Sequence, residues 1–362
     1  MGNCNSRSDA LDPTVAQNRT NYIFEYPIGK GGFGKVWRVL YKRNKQVFAM
    51  KEMHKARVLS KHSVTSVLNE RKLLAVLKHP FIVNAQFAFQ DEENLYLVMD
   101  LMLGGDLRYH IARERQFTEE QTRFFVACVV TGLEYLHLNN VVHRDIKPEN
   151  LVLDSKGYVR ITDFGIAQVV RGEQASDTSG TPGYMAPEVM CKQPHGKAVD
   201  YFAVGVIAYE FMMGRRPYQG RSRKEIRDEM LARQVQLRKQ DIPTGWSLEA
   251  ADFVNKLIQR RASSRLGFNG AHEVKNHTWL RSVQWQKVFE KTIDSPFKPE
   301  VGDNFDSRVG LQEWKDEDDI DTSQLRETGV QEMFCGYYFD VLRVLPNKHR
   351  DEATTVALNR RL

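Results

Sequence analysis

Four side chains spread across about 20 residues have types that could work on one reaction: Asp145, Lys147 and Asn150 in VVHRDIKPEN, and Asp163 in ITDFG. A hydroxyl that is to attack phosphorus needs a carboxylate to orient it, and Asp145 is of that type. A lysine two positions on, Lys147, would offset charge on a transferring phosphoryl group. The Asn150 side-chain carbonyl and the Asp163 carboxylate are hard oxygens, which suit Mg2+. A lone aspartate in a loop is usually a turn former. The ordered set carries the reading.

Such chemistry also needs a phosphate cradle and a counter-charge upstream. GKGGFGKV places Gly29, Gly31 and Gly34 in a GxGxxGxV pattern, with Lys30, Gly32 and Phe33 completing the loop. Glycines let a backbone approach phosphate closely and present its N–H groups. A dinucleotide fold uses a related GxGxxG, but it needs a following helix and an acid about 20 residues on. Here a strand-like segment follows, and VFAMK puts Lys51 further along. Lys51 could meet α- and β-phosphates if Glu70, on the next predicted helix, holds its flexible chain. Taken singly, Glu70 would read as a surface carboxylate.

These residues need two textures of chain to position them. From Tyr22 to about Met99 the sequence reads as strands around one helix; SVTSVLNERKLLAVLKH carries Val67, Leu68, Leu74 and Leu77 at helical spacing and stops before Pro80. After GGDLR the pattern turns helical. TEEQTRFF opens with Thr118 and Gln121 in a capping-box arrangement, and AVDYFAVGVIAYEFMMG is apolar almost all round, hence buried. The expected fold is therefore α+β and bilobal. Its expected parts are a leader over 1–21, a β-rich small lobe over 22–99, a helical large lobe over 100–281 and a C-terminal extension over 282–362.

The chain has 362 residues, 41% hydrophobic and 27% charged, with a net charge of +6. That is ordinary for a protein with a sizeable core, and no run reaches the ~18–20 apolar residues of a membrane span. The densest basic stretch, GRRPYQGRSRKEIRD, is interleaved with acids and lacks the aromatic platform of a nucleic-acid surface, so no nucleic-acid partner is expected. Four scattered cysteines without CxxC spacing point to a reduced, cytoplasmic setting.

HRD, DFG and APE in order, with the glycine loop and the VFAMK lysine, resemble the eukaryotic protein kinases from about Tyr22 to Leu280. The resemblance implies ATP and Mg2+ as cofactors and protein substrates, with the chain acting as a monomer. It implies that Asn150 and Asp163 hold the metal, and that Arg265 pairs with Glu188 of APE. Lys147 and the GTP at Gly180 to Pro182 are similar to the serine/threonine branch, which implies that Thr181 contacts Asp145 and Lys147. By the same likeness Met99 is the gatekeeper, Asp100 to Met102 the hinge to adenine, and Val36, Ala49 and Val152 the sandwich around the ring. The tail elements GDNFD and FCGYYF resemble the extension of the AGC kinases. There the phenylalanine corresponding to Phe305 lies over the adenine, and a terminal aromatic pair docks on the small lobe. QDEENLYLVMDLMLGGDLRYH together with the MG leader is most similar to the YANK group. Asp106, Glu149 and Glu210 fall where arginine-directed relatives hold the basic residues upstream of the phosphorylated one, and Asp106 and Glu149 also border the nucleotide. A catalytically silent scaffold of the same shape is the competing reading. It normally lacks one of Lys51, Asp145 and Asp163, and all three are present.

Counting back from Gly180, Asp177 stands where AGC relatives carry a threonine that must be phosphorylated. One carboxylate asks for one arginine, where a phosphate rewards several cations; Asp177 is accordingly expected to pair with Arg144 and hold its loop active. MGNCNS fits N-myristoylation at Gly2, with Cys4 a neighbouring palmitoylation site. Two chains would anchor the protein stably on the cytoplasmic face of a membrane.

Overall fold

Tyr22–Lys30 (β1) and Gly34–Tyr41 (β2) pair antiparallel around a turn in which the Gly31 N–H donates to the Gly34 carbonyl at 2.8 Å. Val47–His54 (β3) continues the sheet, followed by two helices, Lys55–Ser60 (α1) and Val64–Val76 (α2), and by Ala85–Gln90 (β4) and Asn94–Met99 (β5). The computed structural model describes residues 16–170, 178–300, 322–327 and 329–344. The chain packs as two compact units. Of the described residues, the first unit takes those within Met1–Leu77, Asn84–Leu101 and Phe305–Leu362, and the second those within Lys78–Val83 and Met102–Asn304.

Among the described residues of the first unit, six strands run in the order β1, β2, β3, β5, β4 and a two-residue tail strand, Phe339–Asp340. Strand alternation divides the sheet into two faces. Tyr41, Phe48, Met50, Phe87, Phe89 and Tyr96 form a buried aromatic-rich cluster with Tyr22. Ala49 and Lys51, one position out of phase with Phe48 and Met50, belong to the opposite face.

The tail aromatics expected to dock do lie buried in this unit, Phe334 and Tyr337 both at 0% exposure. Burying a phenylalanine contributes roughly 1.5–3 kcal/mol. A polar latch fixes the register. Lys55, itself buried, donates to the Asp91 carbonyl at 2.6 Å and to Gln331 Oε1 at 2.7 Å, with its ammonium 5.3 Å from the Phe334 ring centre. Burial pushes the Lys55 ammonium below its ordinary value, against the pull of Asp91 and Glu92. Arg71 of α2 donates to the Gly336 carbonyl, and Gln90 to that of Phe334 at 3.0 Å.

The second unit is mainly helical: Leu107–Glu114 (α3) and Glu119–Leu138 (α4), then short strands Val141–Val142 (β6), Leu151–Leu153 (β7), Val159–Ile161 (β8) and Gln168–Val169 (β9). Helices Pro187–Met190 (α5), Ala198–Met213 (α6), Arg223–Ala232 (α7) and Leu248–Leu257 (α8) follow. The capping box at the start of α4 forms as the spacing predicts: Thr118 Oγ1 accepts from the Gln121 N–H, and Gln121 Oε1 from the Thr118 N–H. Helix α6 is buried along nearly its whole length and stops at Gly214, whose φ of 69° is the left-handed conformation glycine adopts without strain.

Two expected boundaries shift. Asp100 and Leu101 belong with the first unit, and residues 78–83 with the second. The stretch 282–300, expected to begin the extension, packs into the second unit. The Ile293 N–H donates to the Tyr158 hydroxyl at 3.0 Å, and the Phe297 ring sits 4.9 Å from His110 and 5.6 Å from Phe117. Among the described residues no helix is long and apolar enough to cross a membrane.

Candidate active site

In the first unit, hydrogen-bond register puts the expected nucleotide-facing side chains together. Val36 lies opposite Lys51, and Ala49 opposite Met99. Cross-strand partners share a face, so these four project to one side. Lys51 Nζ reaches both oxygens of Glu70 on α2, at 3.0 and 2.9 Å, and Glu70 is 3% exposed. The pair has one geometry rather than a spread of surface rotamers.

The loop glycines divide into two kinds. A Cβ on Gly34 would meet the Glu52 carbonyl oxygen at 2.1 Å, so packing against β3 alone demands glycine there. At Gly29 and Gly31 the nearest atoms would be 3.7 Å away. The fold tolerates a side chain at those two positions, and close approach of a ligand is the remaining reason for glycine. Lys61, which the sequence reading did not single out, steadies the tip: it donates to the Gly32 carbonyl at 2.6 Å and lies 5.7 Å from the Phe33 ring centre.

The second unit holds Asp145, Lys147, Asn150, Asp163 and Thr181. Asp145, Lys147 and Thr181 form a closed triangle: Lys147 Nζ to Asp145 Oδ2 at 2.7 Å, Lys147 Nζ to Thr181 Oγ1 at 2.8 Å, and Thr181 Oγ1 donating to Asp145 Oδ1 at 2.7 Å. The Thr181 N–H adds a bond to Asp145 Oδ1 at 3.0 Å. Asn150, 5% exposed, turns its amide N–H groups to the Asp145 carbonyl and Oδ2, at 2.9 and 3.2 Å. That orientation leaves the Asn150 carbonyl as the acceptor, and Asp163 supplies a carboxylate in a left-handed backbone conformation, φ 65°. One carboxylate and one amide oxygen, completed by phosphate oxygens, are a donor set suited to Mg2+.

Asp200 fixes the backbone of this loop. It accepts from the His143 N–H (3.0 Å), the Arg144 N–H (2.8 Å) and His137 Nε2 (2.8 Å). His137 went unnoticed in the sequence; a histidine late in an apolar helix carries no signal of its own. Arg265 clamps Glu188 with two bonds, 2.6 and 2.9 Å, in the pairing expected of APE.

The protein kinase domain family matches residues 22–280. A probable serine/threonine-protein kinase of Dictyostelium discoideum is 38% identical over 89% of this chain and 71% of its own length. Serine/threonine-protein kinase sgk-1 of Caenorhabditis elegans is 37% identical over 82% of this chain and 64% of its own. RAC-beta serine/threonine-protein kinase A of Xenopus laevis is 39% identical over 82% and 60%. The chain belongs to the protein kinase family. Its relatives place it in the serine/threonine branch, AGC-like, and it spans 60 to 71% of the length of these three.

Met102 is buried, and Asp106 bridges Val152 while its carboxylate caps α3 by accepting from the Tyr109 N–H at 2.8 Å. Burial raises the Asp106 carboxyl above its ordinary range, partly opposed by the N–H groups of Tyr109 and Arg108. The Asp100 carboxylate is engaged by Gln86 at 2.8 Å and Asn84 at 3.1 Å, so its side chain serves the first unit's own fold. Arg144 has φ 69° and donates from Nε to the Ile166 carbonyl at 2.8 Å. Glu149 and Glu210 converge on one cation, Arg108. Gly2, Cys4, Asp177 and Phe305 lie outside the described residues.

Proposed function

We propose that the kinase is catalytically competent and moves the γ-phosphoryl group of Mg·ATP to serine and threonine hydroxyls of proteins. The Asp145–Lys147–Thr181 triangle carries this reading: it holds a carboxylate and an ammonium at fixed positions beside one another. Asp145 would orient the acceptor hydroxyl and take its proton. Lys147 would offset charge on the group in transit. Lys51, fixed by Glu70, would hold the α- and β-phosphates, with Gly29 and Gly31 giving their N–H groups. Asn150 and Asp163 would hold Mg2+, which when bound neutralises phosphate oxygens.

The test is transfer from Mg·ATP to a degenerate serine/threonine peptide library, with the Asp145→Asn protein as blank. Absence of transfer by untreated protein would return the silent-scaffold reading.

Two finer readings belong to the same proposal. Asp177 supplies in fixed form the negative charge that a phosphothreonine gives AGC relatives, with Arg144 as its partner. Phosphatase treatment should leave turnover unchanged, and Asp177→Ala should cut it at least tenfold, the loss of about one buried charge-assisted contact. Activity that disappears with phosphatase alone would discard this. Gly2 acylation, with Cys4 as a second site, would hold the kinase at a membrane. A Gly2→Ala protein should move to the soluble fraction, and equal sedimentation of both proteins with membranes would refute it.

An upstream substrate arginine, for which the acids Asp106, Glu149 and Glu210 were expected, would reach Glu149 and Glu210 only by displacing Arg108.

A further inference from the structure

Arg108 is the second residue of α3, and each nitrogen of its guanidinium is used. Nε donates to Glu149 Oε1 at 3.0 Å; Nη1 and Nη2 donate to Glu210 Oε1 and Oε2 at 2.9 and 3.2 Å; Nη2 also donates to the Tyr184 hydroxyl. The Tyr184 hydroxyl in turn donates to Glu210 Oε2 at 2.5 Å. Glu210 is 7% exposed, so its charge would be costly without these partners. Burial opposes the Arg108 charge, but the bond to Glu210 and the nearby Tyr184 and Glu149 raise its affinity for the proton overall.

This cluster adjoins the place where an acceptor peptide must lie. Glu149 stands between Lys147 and Asn150 in sequence, and Tyr184 is tied to Thr181 by a turn, its N–H donating to the Thr181 carbonyl at 2.9 Å. Thr181 is itself bonded to Asp145. Carboxylates so near the acceptor site are suited to a cation on the substrate, yet the chain supplies that cation itself.

We infer that Arg108 is a specificity-determining residue: it occupies in cis the two carboxylates an upstream substrate arginine would need, and so removes selection for arginine at that subsite. The inference rests on the kinase activity proposed above. A substrate guanidinium entering here must break the bonds of Arg108 before making its own, while a substrate with a neutral residue leaves the cluster intact. The two acids and one guanidinium sum to a single negative charge, too little to favour a second cation strongly once Glu210 is already bidentate.

The experiment compares kcat/KM for peptides that differ only by arginine or alanine at each upstream position. Wild type should discriminate by less than about threefold at every position. Arg108→Ala should raise the arginine-to-alanine ratio at one position by roughly tenfold or more, the worth of a recovered charge-assisted contact. Arg108→Lys keeps a charge but cannot span both carboxylates, and its ratio should fall between the two. The inference is overturned if wild type already favours arginine tenfold at that position, or if the ratio stays at the wild-type value in Arg108→Ala. Should Arg108→Ala fail to fold, an Arg108→Lys ratio equal to wild type overturns it. Turnover of the alanine peptide by wild type reports separately on the kinase activity: no turnover of any peptide sinks that reading instead.

Discussion

Replacing Asp145 with asparagine is expected to lower kcat about a hundredfold to ten-thousandfold, the range of a positioned general acid–base group. The amide is nearly isosteric, so its oxygen can still accept from the Thr181 N–H, and Lys147 keeps its bond to Thr181 Oγ1. What is lost is the ability to accept a proton, together with the charge that Lys147 and the Thr181 hydroxyl now share. Nucleotide affinity should change little, because Lys51 and Glu70 in the first unit are untouched. Single-turnover transfer alongside nucleotide titration separates these effects. An Asp145→Asn protein that keeps more than about a tenth of wild-type kcat would remove Asp145 from the role given to it.

Much of this site was legible because phosphoryl transfer restricts residue types at fixed spacings. VVHRDIKPEN puts a carboxylate, a cation and an amide oxygen on one short loop, so local sequence suffices. The Thr118–Gln121 cap and the all-apolar α6 were legible for the same reason: their partners are a few residues away or everywhere around them. Other features depend on distant partners. Arg108 meets Glu210 across 102 positions, and nothing in GGDLRYH announces that its arginine answers acids elsewhere. The acids themselves are assigned to a substrate arginine by their match to arginine-directed relatives, a likeness that says nothing of a cation supplied by the chain itself. The stretch 282–300 looked like the start of an extension because its periodicity is lost. It is held instead by single long-range contacts, such as Ile293 with Tyr158 across 135 positions. Lys55 is similar: a lysine beginning a helix reads as solvated, and its burial follows only from Gln331 and Phe334 arriving from the tail.

Asp200→Ala should be the most damaging single change to the fold of the second unit, costing about 3–5 kcal/mol, as expected when one partner of a buried charged network is removed. The carboxylate is buried, and its loss leaves the N–H groups of His143 and Arg144 without acceptors beside Asp145. Activity should fall with stability, because the displaced backbone is the one that aims Asp145. Asp200→Asn, which keeps an acceptor for one donor, should be milder in denaturant titration and still impaired in kcat. Acid sharpens the test. Burial pushes the Asp200 carboxyl up, but the bond from His137, the nearby His143 ring and the His143 N–H prevail and hold it below the ordinary carboxylate range. The folded state thus keeps this carboxylate ionised at a pH where the unfolded chain, with a value near 3.9, has begun to bind a proton. Its stabilisation is complete above that value and is lost as pH falls through the lower, folded one. Wild type should therefore lose stability more steeply than Asp200→Asn as pH drops below about 4. Parallel acid profiles for the two proteins would show that the loop is held by something other than this charge.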